Sequence, residues 1–362
     1  MAHYTFKLSM GIEGLASWIR QNHPNAVSKK SMTDFSGRRI VVDATNICYE
    51  MWSACFRDVV KGTDVIANEV DRREVTSRCL TRLYDFLRRV ISCGVLPVFV
   101  FDGEYSQDKA EHAHIKRKAT KDRARDRLKL LDEEIASLDP ALRKGKYLEE
   151  RRKILCQVEG PEEEMQMMKM VLLNTPLPCM QAKGEAEKLC SQLCYEGKVD
   201  AVLSSDSDNL PNGCLMLLTK MLGTEDGEVS EAFSLPVILE STGLSFSSFV
   251  DFCIMAGCDY NNNIPGIGIV RSFELISKYG SIDNLPSTYR NKPLDKEILN
   301  HQRCRELFAL QRSEDMTDEI VLDLGEGDAE TLRELGVFWG NDLSSLLFTL
   351  PSMEEQTIVT RL

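Results

Sequence analysis

Four apolar, strand-like runs in this 362-residue chain each end in a carboxylate. They read IVVDA, closing at Asp43; VFVFDGE, at Asp102; AVLSSDSD, at Asp206 and Asp208; and CIMAGCDY, at Asp259. A fifth segment, GEAEK, adds Glu185 and Glu187. Parallel α/β sheets gather ligands beyond the carboxyl ends of their strands. Seven carboxylates collected there cannot all stay ionised side by side without cations. An oxygen-only donor set with no His or Cys beside it favours Mg²⁺ or Mn²⁺ over zinc. The pattern predicts a two-metal site for phosphodiester chemistry. Taken singly, an Asp after a strand is ordinarily a helix cap or a turn residue, and Glu185 and Glu187 could simply compensate a helix dipole. Four such endings in one chain weigh against coincidence.

The length suggests one large or two modest domains, and 43% hydrophobic residues is a globular composition. No apolar stretch is long enough to span a bilayer, and no signal peptide is apparent, so an intracellular protein is expected. The twelve cysteines are scattered through apolar runs without a CxxC pair, which reads as buried, reduced thiols. A net charge of −12 argues against a generic nucleic-acid binder. However, residues 109–130 carry nine Lys or Arg against three acids. Within this run Lys109, Lys116, Arg123 and Arg127 recur at helical spacing. The stripe is either a solvated face or, placed just after Asp102, a holder of phosphate. His112 and His114 lack metal-type companions and read as exposed polar residues.

Strands are predicted at 39–44, 96–101, near 177 and at 200–205, with helices over 74–93, from 184 and over 245–257. From 104 to about 170 the chain is charged and helix-forming. NNNIPGIGIVRSFELISKYG then places Gly266 and Gly268 before an amphipathic helix that starts near Arg271. This is a helix–hairpin–helix signature, whose glycines admit a phosphate to backbone amides at a helix N-terminus. The expected fold is α/β, with a central mostly parallel sheet flanked by helices. The expected segments are an extension (1–10), the first part of the core (11–103), a helical arch and cap (104–175), the rest of the core (176–289, with the helix–hairpin–helix at about 245–282) and a C-terminal helical region (290–362).

The ordered set MGIEGL, VVDAT, FVFDG, GEAE, DSDNL, GCDY and GIG, from Met10 to about residue 285, resembles the flap endonuclease branch of the structure-specific 5′ nucleases. The resemblance implies a PIN-like nuclease core that hydrolyses DNA at 5′ flaps near the single-strand/duplex junction, with 5′-3′ exonuclease activity, in replication, repair or recombination. It implies that Asp43, Asp102, Glu185 and Glu187 hold one Mg²⁺ while Asp206, Asp208 and Asp259 serve a second. Lys109 and either Lys116 or Arg117 match the gateway cations at the scissile phosphate, and Tyr49 the aromatic on which a nucleotide stacks. The hairpin matches a potassium-linked duplex site. The implied partner is branched DNA with a 5′ flap, on which the chain acts as a monomer in the nucleus or another replication compartment. Two departures stand out. Val270 replaces a lysine usual in the hairpin, and no sliding-clamp motif is recognisable, so clamp recruitment is not expected. The rival readings are a non-catalytic scaffold that kept the fold, an enzyme that is mainly an exonuclease, and a Holliday-junction resolvase.

Overall fold

The computed structural model describes residues 11–62, 70–104, 115–139, 146–224, 227–290, 292–337 and 340–351. Its centre is built on the two runs that are apolar throughout. Strand β2 (Arg39–Asp43) lies parallel to β3 (Leu96–Phe101), with Val41 opposite Val98. Side chains alternate faces along a strand, so Val41, Val98 and Val100 enter one hydrophobic cluster while Ile40, Val42, Phe99 and Phe101 enter another. Burial on both faces is why these strands read as continuous apolar runs and not as alternating ones.

With β1 (Val27–Ser31), β4 (Cys179–Gln181), β5 (Ala201–Leu203), β6 (Met216–Thr224) and β7 (Gly227–Ser234), they form a seven-stranded sheet in the order β1-β7-β6-β5-β2-β3-β4. The five strands from β6 to β4 run parallel, and β7 and β1 extend the sheet antiparallel. The antiparallel extension is an addition to the expected sheet. β1, VSKKS, carries too little apolar character to announce itself as a strand, and lies at the sheet edge.

On one face pack α1 (Leu15–Asn22), α7 (Ala186–Tyr195), α9 (Phe246–Ala256) and α10 (Ile269–Tyr279); on the other, α2 (Ala44–Gly62), α3 (Arg72–Ser92) and α6 (Glu162–Leu173). Between α3 and α6, α4 (Ile115–Ser137) and α5 (Lys146–Val158) pair along a small core of their own, around Leu131, Ile135 and Ile154. A short helix, α8 (Leu235–Thr242), precedes α9.

Helices α9 and α10 are the pair expected around the glycine hairpin, and two devices hold them. Trp18 of α1 packs its ring 5.0 Å from Phe252 and 4.7 Å from Phe273. At the far side, Arg305 of α11 (His301–Leu307) grips Asp251 with two hydrogen bonds of 2.6 Å. Asp251 is 2% exposed and also accepts the backbone N–H of Ile282 (2.9 Å), just beyond α10. A third nitrogen of Arg305 reaches Asp283 at 2.7 Å. The C-terminal region thus fastens the end of α10 back onto α9. All twelve cysteines are free, ten of them buried, as the apolar settings of the thiols predict.

Removing one member of a buried ion pair strands the other charge. Arg305→Met is expected to cost about 3 kcal/mol in urea unfolding, and a loss below about 1 kcal/mol would show that this grip does not stabilise the fold.

Candidate metal centre

Parallel strands deliver their carboxyl ends to one edge of the sheet. Asp43 closes β2, Asp102 follows β3, and Glu185 and Glu187 follow β4. Asp206 and Asp208 follow β5 on the opposite flank of β2. The strand order turns at β2, the position where open α/β sheets leave a crevice.

Hydrogen bonds fix Asp43, Asp102, Asp206 and Glu185 locally. Asp43, 4% exposed, accepts the Asn46 backbone N–H (3.0 Å), which caps α2, and the Ser204 hydroxyl (3.2 Å). Asp102 accepts the Ala186 N–H (2.8 Å) at the first turn of α7. Asp206 accepts the Asp208 N–H (2.9 Å), which starts a turn over Ser207–Asn209. Ser204 ties the flanks together, since its hydroxyl also accepts the Asp206 N–H (3.1 Å). Glu185 and Glu187 are 3% and 5% exposed, and Asp208 is 1% exposed. Asp259 is partly exposed on the turn after α9, next to Tyr260. Tyr260, 1% exposed, donates its hydroxyl to Glu185 Oε2. Burial first, and then Glu185, Glu187 and Asp208, push its pKa well above the usual phenol value, so it remains a donor.

The electrostatics record the crowding. Burial, then Asp102, then Asp206 raise Asp43 to about 7, against the lowering effect of its hydrogen bonds. Among the described residues, no three acidic, His or Cys side chains are drawn together into a coordination shell. The carboxylates line one edge of the sheet from both flanks of β2. The donors still suit a hard cation. Burial pushes the Cys190 and Cys253 thiols well above their ordinary range, so they stay neutral and leave ligation to oxygen.

Gly11 forms the floor of this edge. Its φ is +82°, and a Cβ there would fall 2.2 Å from Asp206 Oδ1 and 2.8 Å from the Asp208 N–H nitrogen. Only glycine fits both the conformation and the space. Gly103 is comparably confined, with Ala182 O 2.0 Å from a notional Cβ. That contact seats the loop after β3 against the loop after β4.

Outside the centre, Tyr49 is half-buried with its ring 5.5 Å from Trp52, so the structure places it on the core side of α2. Lys109 lies outside the described residues; Lys116 and Arg117 belong to α4. Arg123 is exposed on α4. Arg127 reaches Glu150 of α5 at 2.8 Å and Glu134 at 3.8 Å, which makes it a tie between α4 and α5. In the hairpin, Gly266 has φ +80°, and Arg271 donates to its carbonyl. Gly268 caps α10 with no atom within 4 Å of a notional Cβ, so its backbone is approachable. Asn46, Ser204, Tyr260 and Lys188 join the site without having been singled out for it. Of these, Asn46 directly follows the VVDAT motif and Tyr260 ends GCDY. Ser204 and Lys188 carry no signal in a one-dimensional reading.

Carboxylates aligned past parallel strand ends, a helical insertion between β3 and β4 and a glycine hairpin after α9 define a phosphodiester-cleaving nuclease core. The family comparisons agree. Residues 10–124 match the XPG N-terminal domain and 176–259 the XPG I-region. Flap endonuclease 1 of Entamoeba dispar is 31% identical over 326 residues, covering 90% of this chain and 82% of the relative. Flap endonuclease-1 from Methanococcus jannaschii superposes with a TM-score of 0.59 at 22% identity, covering 90% and 95% of the two chains. The catalytic core of Rad2 in complex with DNA substrate gives 0.57 at 18%, covering 93% and 99%. This chain belongs to the flap endonuclease family.

Gly11→Ala is expected to displace the Asp206 turn and to cut cleavage by about a hundred-fold, the scale of an ångström's misplacement at a reacting centre. A single-turnover rate within three-fold of the unaltered protein would show that the floor is not needed.

Proposed function

We propose that this chain is a Mg²⁺-dependent, structure-specific 5′ nuclease that cuts DNA flaps near the junction and also degrades from 5′ ends. The observation that carries this reading is the placement of Asp43, Asp102, Glu185, Glu187, Asp206 and Asp208 at or just past the ends of parallel strands β2, β3, β4 and β5, on both flanks of β2. Asp43, Asp102, Glu185 and Glu187 would hold one Mg²⁺ and Asp206, Asp208 and Asp259 the other, with Mn²⁺ able to substitute. Two such ions would activate water, stabilise the leaving oxygen and neutralise charge on the phosphate. Uncatalysed phosphodiester hydrolysis is slow enough that enzymes lower its barrier by up to roughly 20 kcal/mol.

The residues of the chain divide the remaining work. Ser204 and Asn46 couple the β2 and β5 flanks, so the two halves of the donor set keep their spacing. Lys109, with Lys116 or Arg117, would add positive charge at the scissile phosphate. Arg123 would guide the flap along α4, and Arg127 would take part by exchanging Glu150 for phosphate. Tyr49 would offer a stacking face where its ring is open to solvent. Gly266, Gly268 and Arg271 would hold duplex through backbone amides and one cation, with K⁺ at the hairpin. Shape, not sequence, would set the substrate. Such a protein acts where DNA is replicated, in the nucleus or an equivalent compartment, as a monomer on branched DNA and without a recognisable clamp motif. A labelled 5′ flap compared with nicked, gapped and four-way DNA, with and without Mg²⁺, tests the reading. Preference for the four-way junction would favour a resolvase, and binding without cleavage a scaffold.

Asp206→Ala is expected to slow flap cleavage at least about a hundred-fold while leaving DNA affinity little changed, because the lost group repels phosphate. Near-normal turnover would remove the two-metal assignment. Val270, 57% exposed at the start of α10, points the other way. Val270→Lys should tighten duplex binding and steepen its salt dependence by about one counter-ion, as read by fluorescence anisotropy over a range of salt. An unchanged slope would show that this turn does not meet phosphate.

A further inference from the structure

Lys188 lies on the first turn of α7, three residues after Glu185. Its Nζ is 3.3 Å from Glu185 Oε2, and the two side chains are 17% and 1% exposed. The same Nζ lies 5.0 Å from the centroid of the Tyr260 ring. Tyr260, itself buried, donates its hydroxyl to that same carboxylate oxygen. One oxygen of Glu185 is therefore held from two directions, by an ammonium and by a phenol, and the ammonium is itself steadied over the phenol's ring. A lysine three residues from a glutamate on an exposed helix is ordinarily a weak, screened pair. Here the carboxylate is out of water, so salt does little to screen the attraction.

We propose that Lys188 is an internal counter-ion of the metal centre. It orients Glu185 before any divalent ion arrives, and it supplies one positive charge that the ions would otherwise supply. This rests on the reading of the seven carboxylates as metal ligands. Lys188 is a positioning residue, acting through Glu185. Its charge shares the edge with the incoming cations and repels them, so the centre binds divalent ions less tightly than its carboxylate count implies. A merely structural pair on α7 would leave metal affinity where it is.

The test uses the full chain without DNA and measures Mn²⁺ binding by electron paramagnetic resonance of the free ion. Lys188→Met keeps the aliphatic stem and removes the charge, and Lys188→Gln repeats the removal with a polar stem. Both are expected to lower the Mn²⁺ dissociation constant at least about three-fold, as loss of a nearby like charge requires. Lys188→Arg, which keeps the charge, is expected to stay near the unaltered value. Unchanged or weaker binding in both neutral variants, or an equal shift in Lys188→Arg, overturns the proposal. Asp102→Asn, in the same donor set as Glu185, separates the two readings. If it leaves Mn²⁺ binding intact, the metal-centre assignment falls and the role of Lys188 with it. If it abolishes binding and the neutral variants do not tighten, only the role of Lys188 falls.

Discussion

Mutual repulsion among carboxylates at one edge of a parallel sheet is the constraint around which this molecule is arranged. The sheet delivers acids from the ends of β2, β3, β4 and β5 to one crevice because parallel strands end on the same side. The fold must then accommodate like charges along one edge. It does so with hydrogen bonds that orient four of the carboxylates: Asn46 and Ser204 on Asp43, the α7 N-terminus on Asp102, the Asp208 N–H on Asp206 and Tyr260 on Glu185. Asp43 shows the residual cost, since burial and two acidic neighbours raise it against two hydrogen bonds that lower it. Electrostatic preorganisation of this kind is destabilising before the ligand arrives and useful afterwards.

The distant parts of the chain serve the same edge. Trp18 and the Asp251–Arg305 grip hold α9 and α10 in a fixed relation, and α9 leads directly into the turn that carries Asp259. The C-terminal region returns to the sheet as well, where Ala182 pairs with Thr317 and the Lys183 N–H reaches Met316 O at 2.8 Å. Residues 182 and 183 immediately precede Gly184 and the two glutamates. A segment with little chemistry of its own thus braces the loop that presents Glu185 and Glu187.

The central strands and the acidic endings were legible because their signals are local. β2 and β3 are buried on both faces, and unbroken apolar runs follow from that. β1 was invisible because VSKKS owes its strand state to pairing with β7, a partner some two hundred positions away. The β6–β7 hairpin was also missed: β6 bulges between Leu218 and Met221 and leaves Leu222 61% exposed, so no clean alternation marks it. At the site, the carboxylates could be named from their places after strands. The contact between Tyr260 and Glu185 spans 75 positions, and nothing in GCDY says where its tyrosine points. Lys188 reads as one more helix-surface lysine until its neighbours are known. Arg127 was legible as a cation but not as one already engaged by Glu150.

That engagement changes how the cap should be counted. Arg125 faces Asp122, Arg127 faces Glu150 and Glu134, and Arg151 returns to Asp132. With three of its guanidinium groups paired internally, the helix pair presents a smaller field to solution than its composition suggests. Phosphate entering between α4 and α5 would displace a carboxylate for each arginine it wins. Such contacts are exchanges, and an exchange of partners releases few bound ions to the solvent. On the proposed function, a strand would slide from one arginine to the next with little net change in energy, as along a guide and not an anchor.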